Sequence, residues 1–111
     1  MNEFIARTLL LKSKAGCQSV AIRIFLPVKG EASWECVWRI IWPDRERKNL
    51  AMGIDSIQAL LHALQMVASE LYTSEEYRLE QLVWTEGYKG YGFPVPAQIR
   101  DLLLRDDAQF L

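Results

Sequence analysis

Apolar and polar residues alternate through most of residues 4–54, the period of a β-strand whose two faces meet different surroundings. The stretch from Phe4 to Lys12 is rich in Ile and Leu and ends at the turn-like Ser13-Lys14-Ala15-Gly16. From Ser19 onward Val20, Ile22, Ile24 and Leu26 point one way and Arg23 the other, until Pro27 and Gly30 punctuate the segment. The third segment is the clearest: Trp34, Cys36, Trp38, Ile40 and Trp42 share one face, with Glu35 and Arg39 opposite. Pro43-Asp44 supplies a tight turn, and the charged Arg45-Glu46-Arg47-Lys48 begins a return strand that finishes with Leu50, Met52 and Ile54 on one face. Connections this short make an antiparallel meander, because parallel pairing needs a crossover of roughly a dozen residues.

At Gly53 the period changes. Asp55 or Ser56 is placed to cap a helix, and apolar residues recur at Ile57, Leu60, Leu61, Leu64, Val67, Ala68 and Leu71. That spacing defines one helix face, with Gln58, His62, Gln65 and Ser69 on the opposite side. Thr73-Ser74-Glu75-Glu76 reads as a second helix start, its acids set against the positive end of the helix dipole. After the loop Gly87-Tyr88-Lys89-Gly90-Tyr91-Gly92-Phe93-Pro94, Pro96 suits the first turn of a closing helix edged by Ile99, Leu102 and Leu103. The prediction is an α+β fold in a single domain, 1–111. An antiparallel sheet of four meander strands, or five if Leu82-Val83-Trp84 joins it, is covered by one main amphipathic helix, with a short C-terminal helix.

Composition adds limits rather than chemistry. The 111 residues are half apolar and a quarter charged, ordinary for one globular core. No apolar run approaches the roughly 18 residues of a membrane span, and Met1-Asn2-Glu3-Phe4 lacks the features of a secretory leader. Cys17 and Cys36 fall in no metal-ligand or CxxC pattern. A disulfide between them is one alternative, and two free thiols in a reducing cytoplasm is the expected one. The net charge of −1 hides an asymmetry: residues 1–48 hold nine Lys/Arg against five Asp/Glu, and residues 49–111 hold four against nine. An acidic half can steer a basic partner, or simply solvate exposed helix faces.

No constellation in the chain is specific for catalysis. His62 is the only histidine, which excludes a histidine metal cluster or a two-imidazole mechanism. Nothing matches a nucleophile elbow, a zinc-protease helix or a phosphate loop. No cofactor and no metal site are expected. The alternating tryptophans suit either a core or, if uncovered, a binding face. In the loop at 87–94, glycines and aromatics combine, which serves either a turn that tucks Phe93 into the core or a contact surface. The basic cluster Arg45, Arg47, Lys48 beside Trp42 is interrupted by Asp44 and Glu46, so nucleic-acid binding is not expected.

The string Gly53-Ile54-Asp55-Ser56-Ile57-Gln58-Ala59-Leu60-Leu61-His62-Ala63-Leu64-Gln65, with Leu71-Tyr72 after it and Gly92-Phe93-Pro94-Val95-Pro96 downstream, resembles a family of small bacterial proteins of unknown function. That resemblance implies a bacterial cytoplasmic origin and supplies no catalytic residue. In size and class the chain is also similar to immunity proteins, small inhibitors that neutralise toxins delivered by neighbouring bacteria. This similarity implies a non-enzymatic protein-binding module with a basic toxin domain as partner. Glu75, Glu76, Glu80 and Glu86 would steer and pair with basic groups, while Tyr88 and Tyr91 would supply contact area. The alternative is a small-ligand or accessory domain using the face of Trp34, Trp38 and Trp42. No membrane partner is expected, and a homodimer through an uncovered sheet face remains open.

Overall fold

The computed structural model describes residues 3–96 and Asp107. Four long strands appear where alternation predicts them: β1 (Phe4–Ser13), β2 (Gly16–Phe25), β4 (Trp34–Ile41) and β5 (Glu46–Gly53). Each pairs antiparallel with the next, giving the expected meander. A two-residue strand, β3 (Val28–Lys29), joins β4 beyond the end of β2. The fifth expected strand is the short β6 (Leu82–Val83), which pairs antiparallel with β1 at Leu10 and Leu11. β5 and β6 therefore form the two ends of the sheet. The C-terminal helix expected around Ile99, Leu102 and Leu103 lies outside the described residues.

Helix α1 (Ser56–Tyr72) begins at Asp55, whose carboxylate accepts from the Gln58 backbone N–H at 2.8 Å. This satisfies one of the amides left open in the first turn. The short α2 (Glu75–Arg78) is capped in the same way by Ser74, whose hydroxyl accepts from the Tyr77 amide. α1 lies across the inner face of β4 and β5. The side chains it meets are the large ones of β4: Cys36, Trp38, Ile40 and Trp42 are all buried. The tryptophan face is thus core, and the alternative of a ligand site on an open Trp34–Trp38–Trp42 surface is withdrawn. Trp38 Nε1 has no acceptor among the described residues, the one polar cost visible in this packing.

The expected stripe is met at Val67, Ala68 and Leu71, which are buried, and at Leu60 and Leu64, which pack against the core, but not in the first turns of the helix. Ile57 is 74% exposed and Leu61 43%, whereas Ala59 and Ala63 are buried in their stead. Volume explains the rotation. The β4 tryptophans fill the space between the layers, so alanines, not leucines, must lie closest to them. Gly53 belongs to the same contact, because a Cβ there would stand 2.3 Å from the Ala59 backbone nitrogen. On β5 it is accordingly Ala51 and Gly53 that face inward, and Leu50 and Met52 face outward opposite Val37 and Glu35. Hydrophobic alternation alone points the heavier residues inward, and here the close approach of the helix reverses that choice.

Candidate functional site

α1 covers one half of the sheet's inner face, and the other half is closed by the chain from Trp84 to Val95. Leu9, Val20 and Ile22, fully buried on β1 and β2, lie in the same core as Tyr91, Phe93 and Val95 of that segment. A loop cannot satisfy its own backbone as a helix does, so its peptide groups need partners from elsewhere. Two charged side chains supply them. The buried Asp107 carboxylate accepts from the Tyr91 and Gly92 amides, both at 2.8 Å. It also accepts from the hydroxyls of Tyr72 at 2.5 Å and Tyr88 at 2.8 Å.

From the other side Arg7 donates through Nη1 to the carbonyls of Tyr91 (2.8 Å) and Gly92 (3.0 Å). Its guanidinium sits 4.0 Å from the Trp84 ring centre and 4.6 Å from that of Phe93. Burial pushes the Arg7 pKa down from its ordinary value, and the negative charge of Asp107 opposes that shift. The residues at 91–92 are therefore clamped between an anion and a cation. Glycine is required twice: a Cβ at Gly90 would fall 2.5 Å from the Asp107 carboxyl carbon, and one at Gly92 would fall 2.5 Å from the Trp84 ring. Both have positive φ, 138° and 75°. A carboxylate with four donors already aimed at it is a hub for holding a loop.

The six residues expected to form a binding surface are divided by the fold. Glu75 pairs with Arg78 within α2. Glu76 accepts from Arg45 at 2.8 and 3.1 Å, and that hydrogen bond holds its carboxyl below the usual carboxylate range. Tyr91 is 1% exposed, its hydroxyl donating to the Leu82 carbonyl at 3.1 Å. Burial, followed by the nearby Tyr77 and Asp107, pushes the Tyr91 phenol above its ordinary value. Tyr91 is thus a core residue, and the contact role assigned to it is corrected. Its amide donates to Asp107 and its ring packs 5.0 Å from that of Tyr72, which holds it inward. Tyr88 is half-buried and committed to Asp107, leaving its outer edge beside Trp84.

Glu80 and Glu86 are exposed and make no ion pair among the described residues. Glu80 takes a left-handed conformation, φ 58°, where the chain leaves α2 for β6. The two acids stand beside a pair of surface cavities flanking β6. One, about 450 Å³, is lined by Tyr77, Glu80, Val83 and Lys89. The other, about 530 Å³, is lined by Glu86, Tyr88, Trp84 and Lys89. What sequence reading missed is Arg7 and Asp107, separated by a hundred positions from each other. The only local signal for them was the glycine pattern of the loop they hold.

The basic cluster at the β4–β5 turn is also divided. Arg45 stacks 4.3 Å from the Trp42 ring and pairs with Asp44 and Glu76, and Arg47 pairs with Glu70 of α1. His62 Nδ1 lies 2.8 Å from the Met52 carbonyl, tying α1 to the end strand. Both cysteines are free, Cys17 exposed and Cys36 buried. Among the described residues no group of three His, Cys, Asp or Glu side chains is placed to hold a metal ion. No helix there is long and apolar enough to cross a membrane. Comparison with curated proteins and with solved structures finds no match. The sequence model of a domain of unknown function, DUF6968, matches residues 5–95, and the chain belongs to that family.

Proposed function

We propose that this chain is a non-enzymatic binding module that takes a protein partner at the β6 end of the sheet, in the manner of an immunity-type inhibitor of a bacterial toxin. The observation that carries the reading is the pairing pattern of the acids. Glu75 and Glu76 are engaged within the fold, while Glu80 and Glu86 stand exposed beside the cavities flanking β6. Exposed carboxylates at the rim of a contact surface accelerate encounter with a basic partner, and the half-exposed Tyr88 and Trp84 beside them add contact area. The buried carboxylate of Asp107 is engaged in holding the loop behind that surface. A cytoplasmic bacterial location goes with this reading.

The test is to recover the partner on the tagged chain from the source cell, purify it, and measure association with Glu80→Lys/Glu86→Lys. Slower association, with a flatter salt dependence and an unchanged melting temperature, is the expected result. Association as fast as that of the unaltered chain would remove the β6 end from the interface.

A further inference from the structure

The outer face of the sheet is built from the residues that alternate with the core, and cross-strand register gives it an order the sequence does not show. Arg23 on β2 stands directly opposite Arg39 on β4, which stands directly opposite Lys48 on β5. Like charges so placed repel and cost the sheet stability. One carboxylate offsets them: Glu46 accepts from Arg39 at 2.5 and 3.2 Å. Arg23 and Lys48 make no ion pair among the described residues. Two positions along the strands runs a second row, Phe4 opposite Phe25, continued by Val37 opposite Leu50. Phe4 is 45% exposed, and its ring centre lies 5.3 Å from that of Phe25 and 5.0 Å from the Arg23 guanidinium. A shallow cavity of about 190 Å³ lies between the rows, lined by Phe25, Val37, Arg39 and Lys48.

We propose that this outer face binds single-stranded nucleic acid, with phosphates along the Arg23–Arg39–Lys48 row and bases on the Phe4–Phe25 row. Neighbouring strands stand about 4.8 Å apart, so the basic row spans roughly 10 Å across three strands, within reach of successive phosphates. An exposed ring (Phe4) and a half-buried one (Phe25) beside cations on a sheet face suit a ligand that has both repeating negative charge and planar faces. An acidic polypeptide has the charge but not the planar faces. An extended peptide also gains its backbone hydrogen bonds at a sheet edge, which a face does not offer. A second copy of this chain would set one basic row against another. The whole-chain charge of −1 lowers affinity for any polyanion, so the interaction depends on this local row. This surface is separate from the Glu80–Glu86 end and does not depend on the reading given for it.

The experiment is fluorescence anisotropy of a labelled oligothymidylate with the full chain at low salt, repeated with Arg23→Glu/Lys48→Glu and with Phe4→Ala/Phe25→Ala. Saturable binding below about 100 µM is expected. The charge variant should weaken it by about tenfold or more and reduce the salt slope by roughly 0.7 for each phosphate contact removed. The aromatic variant should weaken it by about tenfold with little change in that slope. The charge variant alters the half-buried Arg23 and the exposed Lys48, neither of them in the core, and should keep the native melting temperature, so it remains informative if the aromatic variant folds poorly. No saturable binding at about 100 µM would overturn the proposal. So would equal affinity for duplex of the same length, displacement by poly-glutamate at matched charge, or a dimer that Phe25→Glu dissociates.

Discussion

The two faces of this sheet are made by the same strands and used in opposite ways. The inner face holds Leu9, Val20, Ile22, Cys36, Trp38 and Ile40, all essentially inaccessible, beneath a helix on one side and a clamped loop on the other. The outer face holds three bases in register and a row of half-exposed aromatic and aliphatic side chains. Inside, opposite charges meet: Asp107 and Arg7 grip the peptide groups at 91–92 from opposite sides. Outside, like charges stand next to one another with one carboxylate between them. The inner face is given over to holding the fold, and the outer face is where the proposed nucleic-acid contact is sought.

If that division is right, substitutions inside should cost stability and substitutions outside should not. The largest effect is expected for Asp107→Ala, which strands four donors around an emptied acceptor site. A loss of about 3–5 kcal/mol by chemical denaturation is predicted, with faster amide exchange at Tyr91 and Gly92. A loss below about 1 kcal/mol would show that the loop holds its place by apolar contact alone. Gly90→Ala puts a methyl against the same carboxylate at a backbone conformation with φ 138°, and should cost about 2 kcal/mol or more.

Under the helix, Ala63→Leu should cost about 1–3 kcal/mol through overpacking against the tryptophan layer, because Ala63 is wholly buried. Leu61→Ala, on the exposed side, should stay within about 0.5 kcal/mol. Equal effects would mean the helix face is not the rotated one described above. The Arg45–Glu76 pair tests the rim between the faces. Its Glu76 pKa is lowered by the Arg45 hydrogen bond, so its contribution is present above the ordinary carboxylate value of 4.5 and fades as pH falls through the lower folded value. With Arg45 more than one-third exposed, that contribution is about 1 kcal/mol or less. Thermal melts of Glu76→Gln should therefore show a flatter decline below pH 4.5 and a small loss at pH 7. Smallest of all, Arg23→Ala should leave stability unchanged within about 0.5 kcal/mol or raise it, since it relieves a like-charge pair.

Much of the architecture was legible in the sequence because it depends on local periodicity. Strand alternation located the four long strands, the Asp55 cap located the start of α1, and Ser74 with Glu75 and Glu76 located α2. The helix face was legible at Val67, Ala68 and Leu71 but misread at Ile57 and Leu61, because partner volumes decide it there: the large buried side chains of the sheet, Trp38 and Trp42, leave room for Ala59 and Ala63. The loop was legible as glycine-rich but not as a core lid, since its holding groups lie at positions 7 and 107. Charge showed the same limit. The acids of residues 70–86 stand close together in sequence, yet Glu70, Glu75 and Glu76 are taken up by Arg47, Arg78 and Arg45. The basic row was invisible along the chain, because Arg23, Arg39 and Lys48 meet only through strand register.

The most direct test of the division between the faces is a ¹H–¹⁵N NMR titration of the labelled chain with oligothymidylate. The account predicts that shifted amides cluster at Phe4, Arg23, Phe25, Val37, Arg39 and Lys48, while those of α1 and of residues 88–93 stay in place. Shifts gathered instead around residues 80–88, or spread evenly over both faces, would contradict the assignment of the outer face as the binding surface.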